Sequence, residues 1–325
     1  MKLRMIDLFS GIGGIRIAFE ENKIKCVASS EIDKYAINTY YENFKEIPLG
    51  DVSQLGKADF PKFDIITAGF PCQPFSLGGL RKGFEDTRGT LFFEVARLIK
   101  ECKPKAFFLE NVQGIVNHDG GNTLNTIVKV LSELNYNFQW RVMNAKDYGV
   151  PQNRNRWYCI GFRDDLNIKF EDYKEGKLKK NVFYFPPKVD LNISLKDIIC
   201  EDVDEAYNVS PIAIENIDRY KDDYLRNNNS ENILIAYEVR SSRCSFRNDG
   251  ISPCLTAKMG TGGNNVPIVV SQKRKLSEIE CLKIMGFPSW FKIKSNHAQS
   301  YKQIGNSVVV PVISMLAKEM YRVMS

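Results

Sequence analysis

The feature that most constrains this chain is an alternation running through its first half. Short apolar runs (LRMIDLF, KCVASSE, DIITAGF, AFFLENV, WYCIGF) are separated by stretches of helical periodicity, from about residue 14 and then over 34–43, 91–100 and 124–134. Strand and helix repeated in this way predict an α/β fold, a mostly parallel sheet covered by helices on both faces. Sheets of that kind carry their ligands at the carboxyl ends of the strands. That edge is where the chemistry is expected.

The alternation fades after Arg163, where Lys, Asp, Asn and Tyr become frequent and 173–180 and 227–230 read as exposed loops. A chain of 325 residues, 43% of them apolar, has room for one large domain and one smaller one. The boundary is placed near Phe185. Residues 1–185 plus 295–325 form the larger unit, to which a last helix (308–323) returns after a Gly-Asn-Ser turn at Gly305; residues 186–294 form the small unit and a hinge.

Composition mainly excludes. No apolar run approaches the roughly 20 residues that cross a bilayer, and MKLRMIDLFS has no signal-peptide core, so no membrane partner and a cytoplasmic location are expected. The 45 Lys and Arg against 39 Asp and Glu suit a polyanionic partner without demanding one. Eight cysteines without a C-x-x-C pair, and only His118 and His297 to help them, argue against a zinc site or a disulfide framework. No metal is expected.

The run IDLF enters SGIGG and then IRIAFEE, so glycines stand where the first strand turns into the first helix, a place nucleotide-like ligands use in open parallel sheets. An ordinary Gly-rich turn has the same local sequence. Glu31 closes the second strand, where an acidic side chain accepts from ribose hydroxyls. A nicotinamide cofactor is disfavoured, because its fingerprint puts a third glycine where Arg16 stands. Asp51 either accepts from an adenine amino group or caps a helix.

After DIITAGF comes PCQPFS, two prolines bracketing Cys72 on a turn at the sheet's carboxyl edge. A thiolate held there suits covalent catalysis. A protease-like Cys-His arrangement is poorly supplied, His118 being the residue that keeps it open. Glu110 and Asn111 end AFFLENV on the same edge; a desolvated carboxyl there serves as a general acid, or else as a helix cap. Arg154 and Arg156 alternate before WYCIG, suiting phosphate or carbonyl oxygens, with surface ion pairs as the plain alternative.

In this order the motifs resemble those of the DNA cytosine-5 methyltransferases of bacterial and phage restriction-modification type. The resemblance runs through DLFSGIGG (7–14), Glu31, GFPCQPFS (69–76), RGTLFF (88–93), ENV (110–112), QNRNRWYCIG (152–161), ECLKIMGFP (280–288) and YKQIGNSVVVPVI (301–313). It implies a Rossmann-like, S-adenosylmethionine-dependent methyltransferase fold with a smaller target-recognition domain. It also implies that Phe9, Gly11, Ile12, Gly13, Gly14, Glu31, Ile32, Asp51, Val52, Leu91, Asn306 and Ser307 surround S-adenosylmethionine. Cys72 would attack, Glu110 engage the base, and Arg154 and Arg156 assist. Ile32 departs from the family's frequent aromatic residue, so stacking on adenine becomes aliphatic packing. Residues 185–265 match only loosely, around RNDGISPCLTA, where the target-recognition region is expected.

The activity implied is methylation of cytosine carbon 5 within a short specific sequence of double-stranded DNA. Cys72 adds to carbon 6, Glu110 hydrogen-bonds or protonates nitrogen 3, and the target nucleotide is flipped from the duplex. SLGGLRKGFEDTRG (76–89) is the expected lid. Gln73, Ser76, Arg88, Arg240, Arg243 and Arg247 are the candidate DNA contacts. A monomer suffices, a nucleoid-associated location is expected, and a cognate restriction endonuclease at the same site follows from the resemblance alone. Two rivals remain: cytosine methylation in tRNA on the same fold, which fits PCQPFS less well, and a non-catalytic DNA-binding regulator, which Cys72 together with Glu110 disfavours.

Overall fold

The computed structural model describes residues 2–71, 91–176, 178–228, 230–262 and 265–325. Cys72, Gln73, Ser76, Arg88 and the expected lid lie outside the described residues. Six strands form the main sheet: β1 (Arg4–Leu8), β2 (Lys25–Ser30), β3 (Ile65–Gly69), β4 (Ala106–Val112), β5 (Tyr136–Asn144) and β6 (Asn155–Arg163), in the order β2-β1-β3-β4-β6-β5. The first four are parallel, and β6 runs against both β4 and β5. The sheet is thus mostly parallel, with β5 an edge strand that the alternation of apolar runs did not show.

The chain steps from β1 outward to β2 and then back across to β3. This reversal opens a crevice at the carboxyl ends of β1 and β3. Because strand side chains alternate between faces, β4 sends Ala106 and Phe108 into one core and Phe107 and Leu109 into the other. The helices α1 (Gly14–Glu20), α2 (Lys34–Phe44), α3 (Leu91–Cys102) and α4 (Asn122–Ser132) follow β1, β2, β3 and β4 in the chain. α1 packs into the first core, α3 and α4 into the second. The Asp33 carboxylate caps α2 by accepting from the Tyr35 and Ala36 N–H groups, and Lys45 in the left-handed region ends it.

A short parallel pair, β7 (Lys169–Glu171) and β8 (Val182–Tyr184), precedes α5 (Pro211–Asn227). Ser210 caps α5 and Pro211 starts it, a common helix opening. α5 packs on a separate antiparallel sheet of β9 (Ile235–Arg240), β10 (Arg243–Arg247), β11 (Ile268–Val269) and β12 (Arg274–Lys275), around Ala213, Ile217, Val239 and Phe246. Then come α6 (Glu278–Ile284), α7 (His297–Asn306) and α8 (Val310–Met324). α8 lies against α1, where Asn22 Nδ2 donates to Ser314 O at 3.1 Å and Ser314 Oγ at 2.8 Å.

Gly305, expected at a turn, sits instead in the last turn of α7; the chain turns at Ser307. A glycine is needed there for close approach, since a Cβ would lie 2.1 Å from the Thr256 carbonyl carbon. Among the described residues, no helix is long and apolar enough to cross a membrane.

Candidate active site

The loop after β1 is shaped by backbone that only glycine adopts cheaply. Gly11 and Gly13 have φ of +53° and +88°. A Cβ on Gly13 would lie 2.3 Å from Phe44 Cε2, and one on Gly14 2.7 Å from Val308 Cγ2, so the loop is pressed between α2 and the segment after α7. Over Gly11 a Cβ would meet nothing within 4 Å, which leaves that face of the loop open. Arg16, which stands where a dinucleotide fingerprint has glycine, is buried against Tyr40 and Glu46.

Glu31 anchors the loop. Its Oε2 accepts from the Gly11 N–H at 2.8 Å, and its Oε1 from Ile32 and Asp33 N–H at 2.7 and 2.8 Å. A carboxylate offers about four acceptor positions, so three backbone donors leave capacity for an outside hydroxyl. Asp51 caps the turn 52–54, its Oδ1 accepting from the Ser53 N–H at 2.9 Å. The capping role weighed for Asp51 is therefore realised, and it uses one oxygen.

Two adjoining hollows share Phe9, Gly11, Glu31, Gly69, Glu110 and Asn306, and so form one cleft at the carboxyl edge. Ile12, Gly14 and Ser307 line one half; Ile32, Asp51, Val52, Leu91, Arg154 and Arg156 line the other. Of the residues expected around the cofactor, only Gly13 does not line the cleft; it shapes the loop from behind. Ile32 is 70% exposed, an open aliphatic surface at the rim. The donor set, glycine backbone beside a fixed carboxylate and an open aliphatic face, fits an adenosyl group.

Deeper in the cleft stands a buried ion pair. Arg156 Nε lies 3.1 Å from Glu110 Oε1. Burial pushes the Glu110 carboxyl above the usual carboxylate range, with Arg156 and then Arg154 opposing it. Such a carboxyl exchanges a proton closer to neutrality than a solvated one. Its neighbour Asn111 donates through Nδ2 to the Phe70 carbonyl at 2.8 Å, pinning the chain that leaves β3. Pro71, which lines the cleft, directly precedes Cys72.

Arg154 goes elsewhere than Arg156. Its guanidinium donates to the main-chain carbonyls of Leu255, Gly305 and Ser307, and burial followed by the Arg156 charge pushes its pKa down to about 10. Arg243 pairs with Glu238 and Arg247 with Asp249, while Arg240 donates to Asn265 Oδ1 at 2.7 Å. None of these three lines the cleft. His118 is engaged with Thr123 Oγ1 at 2.7 Å and is also absent from the lining. Thr256 and Ala257, which end the loosely matching run RNDGISPCLTA and were not among the expected site residues, do line it.

Comparison with known proteins gives a consistent picture. The family model described as C-5 cytosine-specific DNA methylase matches residues 3–322. The Type II methyltransferase M.HhaI of Haemophilus parahaemolyticus is 41% identical, over 97% of this chain and 93% of its own length. M.Bsp6I of a Bacillus species is 39% identical over 99% of both chains. Among solved structures, a Spodoptera frugiperda DNMT2 mutant aligns with a TM-score of 0.71 at 26% identity, covering 98% of this chain and 99% of that one. A putative DNA modification methyltransferase encoded within an E. coli prophage aligns with a TM-score of 0.71 at 25% identity, covering 99% of each chain.

Proposed function

The chain belongs to the C-5 cytosine-specific DNA methylases, and we propose that it takes the methyl group from S-adenosylmethionine and acts on a flipped cytosine of duplex DNA. The observation that carries this reading is one cleft shared by an acid-anchored glycine loop and a buried Glu110–Arg156 pair.

Across the cleft, the open backbone of Gly11 receives the cofactor and Glu31, which lines both hollows, accepts from its ribose hydroxyls. Ile32 packs on the adenine, Asp51 accepts from its amino group, and Asn306 and Ser307 close the other side. The cofactor supplies an electrophilic methyl on its sulfonium.

Carbon 5 of cytosine is too poor a nucleophile to take that methyl unaided. Cys72, following Pro71 at the cleft, adds as thiolate to carbon 6, while Glu110 holds or donates a proton at nitrogen 3. The carbon 6 adduct carries electron density to carbon 5. A base, for which water is the candidate, takes the carbon 5 proton, the Cys72 sulfur leaves as thiolate and nitrogen 3 returns its proton to Glu110, which restores the aromatic ring. Arg156 orients Glu110. A base buried in a duplex is out of reach of such a cleft, and extruding it costs a few kcal/mol.

Arg240, Arg243 and Arg247 on β9 and β10, together with Gln73, Ser76 and Arg88, are the proposed DNA contacts. The relatives' names as Type II methyltransferases favour a restriction-modification role, with a cognate endonuclease cutting the unmethylated site. Incubation with labelled S-adenosylmethionine and either duplex DNA or tRNA tests the substrate. The expected result is label in DNA as 5-methylcytosine; label confined to tRNA, or at another position of the base, contradicts the reading.

A further inference from the structure

Arg154 is 2% exposed, yet among the described residues none of its polar contacts is to a carboxylate. It sits where three segments meet. Residues 151–154 run beside 252–255: Ser252 N–H donates to Pro151 O at 2.8 Å, Asn153 N–H to Ser252 O at 2.9 Å, and Leu255 N–H to Gln152 Oε1 at 3.2 Å. From that ladder the Arg154 guanidinium reaches Leu255 O through Nη1 and the carbonyls of Gly305 and Ser307 through Nη2.

Two glycines press the same turn onto α7. A Cβ on Gly305 would lie 2.1 Å from the Thr256 carbonyl carbon, and one on Gly260 would lie 2.3 Å from Ala298 O. The turn beginning at Thr256 therefore touches α7 backbone to backbone near both ends of the helix. Ser307 lines one half of the cleft and Thr256 and Ala257 the other. A single buried guanidinium thus fastens the rims of both halves.

We propose that Arg154 is a positioning residue: it preorganises the turn at Asn306 and Ser307 and the turn at Thr256 and Ala257 as one joint, so that neither cofactor nor nucleotide has to order them on binding. This rests on the reading of the cleft as the site of both cofactor and base. A guanidinium presents donors in a rigid planar fork, which suits carbonyls converging from separate segments; the compact lysine ammonium reproduces this only in part.

A loosened joint has a distinctive signature. The first ligand must then order both rims, and the second finds them already ordered, which creates cooperativity where preorganisation had hidden it. The test uses S-adenosylhomocysteine, the demethylated cofactor, so that no turnover occurs with DNA present. Its Kd is measured by calorimetry with and without a duplex of the target sequence, for wild type, Arg154→Met, Arg154→Lys and Gly305→Ala, with Tm recorded for each. Gly305→Ala disturbs the joint while the Arg154 side chain itself is kept, and either it or Arg154→Lys carries the test if Arg154→Met does not fold.

The expected result is cofactor binding weakened about tenfold or more without DNA, and a DNA-induced tightening about fivefold or more larger than in wild type. Arg154→Lys falls between wild type and Arg154→Met. An unchanged tightening ratio with only a lowered Tm makes Arg154 a purely structural residue and overturns the proposal. Unchanged affinities with kcat reduced about a hundredfold assign it to the reacting base and overturn it equally. Failure of the underlying reading is separate, because wild type would then bind no S-adenosylhomocysteine and methylate no DNA.

Discussion

Arg156→Met removes a guanidinium whose Nε lies 3.1 Å from Glu110 Oε1, with the two side chains 12% and 11% exposed. At 3.1 Å and an effective dielectric near 20 the attraction is about 5 kcal/mol. Deleting one partner of a buried pair typically costs about 3–5 kcal/mol, because the other charge is left uncompensated. Methionine keeps much of the aliphatic stem, so packing changes little. The Glu110 carboxyl has one escape, which is to take a proton.

That escape makes the cost depend on pH. Burial already raises the Glu110 pKa, and Arg156 is the largest influence opposing it, so without Arg156 the folded-state pKa climbs further. A group whose folded pKa is raised gives its full stability below the unfolded pKa and loses it as pH rises through the folded one. In the wild type that loss ends once Glu110 has ionised; in the variant it continues to higher pH. The stability gap therefore opens as wild-type Glu110 ionises and levels off once the variant's has.

A pH-independent part comes from the lost bond of Arg156 Nη1 to Asn155 O at 2.8 Å, worth about 1 kcal/mol. Urea unfolding of both proteins across a series of pH values should show a gap rising with pH from about 1 to about 4 kcal/mol. A gap that stays flat across that series refutes the assignment of Arg156 as the charge partner of Glu110.

Gly161→Ala puts a Cβ 2.2 Å from the Phe107 ring across β4 and β6, and should cost about 1–3 kcal/mol in urea unfolding while methyl transfer per folded molecule is retained. Glu31→Gln replaces an acceptor of three backbone N–H groups by an amide with one acceptor oxygen; the expected loss is about 1–3 kcal/mol of stability, and calorimetric titration should show weaker S-adenosylmethionine binding. Asn111→Leu leaves the buried Phe70 carbonyl without its donor and should lower stability by about 1–3 kcal/mol, with transfer slowed further because the chain entering Cys72 is released. Arg240→Ala should reduce the slope of log affinity for DNA against log salt by about one, measured by fluorescence anisotropy, if its guanidinium meets a phosphate.

The first half of the fold was legible because its information is local. Predicted helices at 34–43 and 91–100 correspond to α2 at Lys34–Phe44 and α3 at Leu91–Cys102, since Asp33 caps the first and buried Phe92, Val95, Ala96 and Ile99 stripe the second. β5 escaped notice because it is an edge strand reading YNFQWRVMN, half-buried and mixed in polarity along its middle. The reversed direction of β6 was invisible for a different reason: apolar alternation marks a strand but not its sense.

At the site, the loop glycines, Glu31 and Glu110 stood out because each closes a recognisable strand. What the sequence lacked was the partner of each side chain. Arg154 and Arg156 are two residues apart and looked equivalent, yet one meets carbonyls at 255, 305 and 307 and the other a carboxylate at 110. Gly305 read as a turn because the Thr256 backbone that requires it is 49 residues earlier in the chain. Glu238 and Asp249 beside Arg243 and Arg247 were within sight, but pairing across a hairpin or turn is not dictated by spacing alone.

The most direct test of the account is a covalent trap at the cleft. Duplex DNA carrying 5-fluorocytosine at the methylated position blocks the last step, because fluorine at carbon 5 does not leave as a proton does and the thiolate is not released. Wild type with S-adenosylmethionine is predicted to form a complex of protein, DNA and one methyl group, joined by peptide mapping at Cys72, and Cys72→Ala to form none. An adduct that survives Cys72→Ala, or a wild type that makes 5-methylcytosine on ordinary DNA yet forms no adduct on the fluorinated duplex, would contradict it.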